Sequence, residues 1–226
     1  MLSRAVAVVV FVWAAASLAS GQGSVPYAWD LPGGWPAPAV PADNPMTPAK
    51  VQLGRRLFYD TRLSGNGTQS CASCHQQARA FADERAQAVG STGERHVRGS
   101  MSLVNVAYAT TLTWAHPTLT RLEEQALVPM FGTRPVELGL VRGDSGFVDR
   151  LRAVPEYRRQ FSEAFSDAPD PFGLENVTKA LASFQRSIIS ARSAYDRYAD
   201  SGDERLMSPA AIRGEAMYFG RALSCF

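Results

Sequence analysis

Apolar residues recur along this chain at the three-and-four spacing of helices, and nowhere alternate for long enough to make a strand. Thr47-Pro48, a capping hydroxyl followed by proline, predicts a helix start, and the helix should run to about Tyr59 with Val51, Leu57 and Phe58 on its buried face. Residues 60–67 read as a loop, and Cys71 opens a second, short helix. Residues 118–130 carry Leu119, Leu122, Ala126 and Leu127 at helical spacing, with the acidic pair Glu123-Glu124 among them. Residues 144–165 hold the pattern with Phe147, Leu151, Tyr157, Phe161 and Phe165, interrupted at Pro155. Residues 174–190 predict an amphipathic helix built on Val177, Leu181, Phe184, Ile188 and Ile189. The class is therefore all-α.

Two stretches break this helical texture. Residues 21–46 are dense in proline and glycine and predict an extended arm lying over a domain, with Tyr27, Trp29 and Trp35 as anchors. Ahead of them, Arg4 precedes an apolar, uncharged run from Ala5 to Ala16, and Ser17-Leu18-Ala19 offers the small residues of a cleavage site. The run is nearer ~15 residues than the roughly 20 that span a bilayer. Residues 1–20 are thus expected to be a signal peptide, and the mature protein an exported one, in the periplasm if the cell is Gram-negative. Composition sets limits only. The hydrophobic fraction of 46% suffices for a packed core, and a net charge of +2 argues against a nucleic-acid or membrane partner. Lysine occurs only at Lys50 and Lys179, so the positive charge is nearly all arginine.

The chemistry is concentrated in Cys71-Ala72-Ser73-Cys74-His75. Two thiols on one helical turn can each form a thioether with a haem vinyl group, and the histidine that follows can ligate the iron. A zinc ribbon needs a second ligand pair, but only Cys225, His96 and His116 remain, badly spaced for it. A thioredoxin-like redox pair would not need the adjoining histidine. The motif therefore reads as a covalent haem c site with Cys71 and Cys74 as attachment points and His75 as proximal ligand. Attachment outside the cytoplasm agrees with the export segment.

Near its end the chain begins again. Met207-Ser208-Pro209-Ala210 echoes Met46-Thr47-Pro48-Ala49, and Gly214 with Met217-Tyr218-Phe219 echoes Gly54 with Leu57-Phe58-Tyr59. The first copy leads to Cys71, the second to Ser224-Cys225-Phe226. The simplest reading is a duplicated cytochrome domain cut inside its second haem motif, with Cys225 as that motif's first cysteine. The alternative is a chance echo with an ordinary terminal thiol.

These residues resemble the bacterial dihaem cytochrome c peroxidases and their MauG relatives. The resemblance rests on residues 53–64 (Leu53 to Ser64), the haem motif, Leu122-Glu123-Glu124-Gln125-Ala126 with Pro129 and Glu137, and Ala182-Ser183-Phe184-Gln185-Arg186. The wording of Leu112-Thr113-Trp114-Ala115-His116-Pro117 is most similar to the branch associated with methanobactin biosynthesis, in which a dihaem enzyme oxidises tryptophan on a partner protein. The resemblance implies a cytochrome c-like domain over residues 47–205 and the start of a truncated second one at 206–226. It implies a peroxide-using oxidoreductase that takes electrons from a small donor protein, a cytochrome c or cupredoxin, or that oxidises a partner protein. Trp114 falls where the family has a tryptophan between the haems, an electron or hole relay. Glu137 matches the carboxylate above the haem, which moves a proton between peroxide oxygens so that the O–O bond breaks heterolytically. Its neighbours Val136 and Leu138 are expected to raise its pKa. Gln125 and Pro129 fall at the wall of the distal pocket.

Plainer readings stand beside these. Trp114 can be a core aromatic, and Glu137 a surface acid or a helix-start carboxylate. His96 can be a displaceable sixth ligand, but its charged surroundings favour an exposed loop histidine. Met101 and Met130 are expected to be buried packing rather than ligands, and His116 to lie at the surface. The family's asparagine that serves an interdomain calcium is replaced here, after Arg98, by Gly99, which puts calcium in doubt. A second function also fits the motif: a monohaem electron carrier with no catalysis, which would need neither Glu137 nor Trp114.

Overall fold

The computed structural model describes residues 25–114, 116–221 and 223. The expected signal peptide and Cys225 lie outside them. Among the described residues there is no strand, only isolated bridges such as Gln76 with Ala82 and Val89 with Arg95, so the all-α class is borne out. None of their helices is long and apolar enough to cross a membrane.

The first helix, α1 (Pro48–Phe58), starts where the sequence places it. Thr47 Oγ1 accepts a hydrogen bond from the Lys50 amide at 3.2 Å, and Pro48 fills the first turn, where its missing N–H is not needed. Its buried face is Lys50, Leu53, Gly54, Leu57 and Phe58, while Val51, expected inside, is half-buried. The partner of this face is α7 (Leu174–Arg186), which presents Val177, Ala180, Leu181 and Phe184. Gly54 makes the crossing possible, because a Cβ there would lie 1.9 Å from the Ala180 carbonyl oxygen.

A short helix carrying the haem motif, α2 (Cys71–Cys74), follows the loop. The helix expected at 118–130 is two shorter ones, α3 (Leu122–Gln125) and α4 (Leu127–Phe131). Pro129 has no N–H to give the Gln125 carbonyl, so the ladder cannot run through, and Leu119 stays outside. The break at Pro155 separates α5 (Gly146–Arg152) from α6 (Pro155–Ala164), whose Tyr157 and Phe161 are fully buried. The α7 helix stops four residues short of the expected end. Asn105 takes over there: its backbone N–H donates to Ile188 O, its Nδ2 to Ser190 O, and its Oδ1 accepts from the Ser190 amide. Helices α8 (Ala194–Ser201) and α9 (Pro209–Tyr218) complete the described chain. The start of α9 repeats that of α1, with Ser208 Oγ accepting from Ala211 N and proline in the first turn.

The arm is held by specific contacts. Trp35 meets Tyr108 edge-on at 6.0 Å, and the Tyr108 hydroxyl donates to Pro36 O. At its end Asn44 is completely buried and donates to Glu123 Oε1 at 2.7 Å. Glu123 is paired on both oxygens with Arg186, at 2.8 Å each, and Lys50 Nζ donates to Asn44 Oδ1. Burial alone would raise the Glu123 carboxyl, but the hydrogen bonds from Arg186 and Asn44 outweigh it and hold the group below its ordinary value. One buried polar network thus ties the arm to α1, α3 and α7.

Candidate haem site

The site begins with how α2 is held. Ser70 and Ser73 form a reciprocal capping box, and the His75 amide donates to Cys71 O, which closes the turn. Cys71 and Cys74 are free, half-buried thiols on that turn. Burial pushes the Cys71 thiol up to about 12 and raises that of Cys74.

His75 is oriented by a tight return of the chain. The Gln76 and Phe81 amides donate across the loop to Ala82 O and Gln76 O, and Ala80 and Phe81 both adopt left-handed backbone, at φ 53° and 56°. This delivers the Phe81 carbonyl to His75 Nδ1 at 2.9 Å. A carbonyl only accepts, so Nδ1 carries the proton and Nε2 keeps its lone pair, the arrangement of a metal-ligating histidine. The Phe81 ring meanwhile packs edge-on against Phe58 and Phe184, which anchors the loop to the core. Burial lowers the pKa of His75, against backbone contacts from Phe81 and Met101. Half-buried Ala72, Phe81, Leu103, Val104, Leu127 and Leu140 pack on the core margin and supply apolar surface. A pair of thiols, an imidazole anchored through Nδ1 and an apolar rim are what a covalent haem needs, and the residues fit it.

Glu137 faces the same region, since its charge contributes to raising both Cys71 and Cys74. Its own carboxyl is raised by burial, the expected direction, and the His96 charge opposes this. Of its neighbours, Leu138 is buried and Val136 half-buried. The loop is fixed by its backbone: Leu138 N donates to Pro129 O, Leu140 N to Met130 O, and Gly65 N to Leu138 O. The Pro129 carbonyl thus holds the Glu137 loop, and Gln125 lies half-buried at the end of α3 just before it.

Other expectations meet different outcomes. His96 is half-buried rather than an exposed loop histidine, and its amide donates to Ala88 O at 2.9 Å. Met130 is core, but Met101 is 37% exposed, so the packing role expected of it is wrong; its backbone lies beside His75 instead. His116 is at the surface. Trp114 is no core aromatic: it is 55% exposed, with the Arg98 guanidinium 5.0 Å over its ring. Thr113 before it holds φ 65°, a strained value for a β-branched residue. At Gly99 a Cβ would lie 2.2 Å from Arg85 O, so an asparagine cannot enter without moving that backbone. Sequence reasoning missed Phe81, Ser91 and Glu94. Only the Gly90-Ser91-Thr92-Gly93 turn signal pointed toward the last two.

Fold and site together are those of a c-type haem protein. The chain belongs to the di-haem cytochrome c peroxidase family, whose model matches residues 48–205. Membership implies covalently bound haem c. Cytochrome-c peroxidase IdrP1 of Denitromonas iodatirespirans is 40% identical over 219 residues, which cover 95% of this chain and 54% of that protein. Methylamine utilization protein MauG of Methylorubrum extorquens is 39% identical over 182 residues, 80% of this chain and 50% of that protein. The crystal structure of a MauG-like protein associated with microbial copper homeostasis matches with TM-score 0.82 and 46% identity, over 86% of this chain and 55% of that one. The chain thus spans about half the length of these relatives.

Proposed function

We propose that this chain carries the peroxide-reacting haem site of a dihaem oxidoreductase exported to the periplasm. The observation that carries the reading is the joint placement of Cys71, Cys74 and an Nδ1-anchored His75 within electrostatic reach of a half-buried acid, Glu137. Cys71 and Cys74 would hold the group by thioethers, and His75 would supply an imidazole ligand to its iron. The haem, when bound, supplies the redox chemistry. Glu137 accepts a proton from one peroxide oxygen and returns it to the other, so that the departing oxygen leaves as water. Burial keeps the Glu137 pKa above the ordinary carboxylate range, closer to the operating pH, where proton transfer in both directions is efficient. Trp114, exposed and capped by Arg98, relays oxidising equivalents toward a second haem or a partner. The electrons come from a small donor protein or from a protein substrate that is itself oxidised.

The test is Glu137→Gln in the haem-loaded protein. Glutamine keeps size and hydrogen bonding but cannot shuttle the proton, so the reaction with peroxide should slow by about 10²–10⁴-fold at unchanged haem content. Stopped-flow mixing with peroxide reads the step. A variant as fast as the parent would remove the distal-acid assignment and favour the simple electron carrier.

A further inference from the structure

We propose that Glu94 is a positioning residue for Glu137, and that the turn of residues 88–98 is a clamp closing on the backbone at either side of that acid. The inference rests on the peroxide-site reading above and names the element that sets its acid. Glu94 Oε2 accepts the Val136 amide at 3.0 Å, immediately before Glu137. The Ser91 amide donates to the Glu137 carbonyl at 2.7 Å, immediately after its Cα. Between these two bonds the backbone of Glu137 has little freedom to rotate.

The turn is built to make both contacts. Gly90 N donates to Glu94 O and Gly93 N to Gly90 O, with Gly93 at φ 86°, where a side chain would be strained. Gly90 lies against the loop so closely that a Cβ would stand 1.7 Å from Val136 O. Ala88 N bonds Arg98 O and His96 N bonds Ala88 O, which close the turn at its base. From the other side Pro129 and Gly65 hold Leu138. The Glu94 side chain is exposed and, among the described residues, makes no ion pair; its carboxylate accepts from a backbone amide instead. An exposed carboxylate used this way holds geometry rather than adding surface charge. The placement matters because misplacing a catalytic group by about 1 Å can cost on the order of 10²-fold.

Four variants of the haem-loaded protein test this. Glu94→Ala should slow the peroxide reaction by about 10- to 100-fold, and speed hydrogen exchange at the Val136 amide by about as much, the worth of a hydrogen bond to a charged group. Glu94→Gln, which keeps an acceptor at the same reach, should recover both to within about threefold. Glu94→Asp keeps charge and fold but falls one methylene short, and should behave like Glu94→Ala. Adding Glu94→Ala to Glu137→Gln should slow the reaction no further, because the two act through one carboxyl. If Glu94→Asp and Glu94→Ala react with peroxide as fast as the parent while Glu137→Gln is slow, the clamp is wrong and the distal acid stands. If Glu137→Gln is also fast, the site reading falls and the clamp with it.

Discussion

Glu123→Ala removes one half of a buried ion pair and leaves the other half inside. Glu123 and Arg186 side chains are 8% and 4% exposed, bonded through both carboxylate oxygens at 2.8 Å, and Asn44 donates to the same carboxylate at 2.7 Å. Alanine would strand the guanidinium and take one of the Asn44 amide's two acceptors, leaving it Lys179 O. Breaking a buried pair from one side costs about 3–5 kcal/mol, and about 2–4 °C accompanies each kcal/mol in a domain of this size. The melting temperature should therefore fall by roughly 6–20 °C. Far-UV circular dichroism on samples of equal haem content measures it. The control is Glu123→Leu with Arg186→Met, which removes both charges and should recover most of the loss, since apolar replacement of such pairs is often neutral. The pH dependence has a fixed sign. The folded pKa of Glu123 is depressed, so its stabilisation is complete above the unfolded value of about 4.3 and is lost as pH falls through the lower folded value. The gap between parent and variant should close on acidification. A loss under about 1 kcal/mol at neutral pH, or a gap that widens in acid, would refute the argument.

Gly54→Ala should destabilise despite alanine's better helix propensity. Its Cβ meets the Ala180 carbonyl at 1.9 Å, backbone against backbone, so α1 and α7 must separate at a cost of about 1–3 kcal/mol; urea unfolding reads the change, and a neutral result would contradict the packing. Trp114→Phe should slow steady-state donor oxidation more than it slows the single-turnover reaction with peroxide, because it alters the electron path and not the proton transfer. Equal losses in both measurements would remove the relay role.

The starts of α1 and α6 were legible because Thr47-Pro48 and Pro155 precede an apolar stripe, and α7 was legible from its stripe alone. The haem motif was legible because its spacing is the chemistry. What sequence alone hid was decided by backbone meeting backbone. The early end of α7 depends on Asn105, more than eighty residues away in the chain. Glu123 read as part of a charged pair on a helix, yet it is enclosed while Glu124 is exposed. On α7, Ala182, Ser183 and Arg186 are all buried, so Arg186 meets Glu123 inside the protein. The Glu137 loop contains no regular structure, so no periodicity announces which residues hold it.

The left-handed pair at Ala80 and Phe81 has a consequence for how the protein matures. A left-handed conformation costs an L-residue roughly 1–2 kcal/mol, and here two stand in succession. That strain is sustained by the Phe81 ring in the core, and its result is a carbonyl aimed at one imidazole nitrogen. Tautomer choice at His75 is thereby written into the backbone of this loop. Closing residues 76–82 commits Nδ1 to a backbone carbonyl, so the shape of that loop selects which imidazole nitrogen carries the proton.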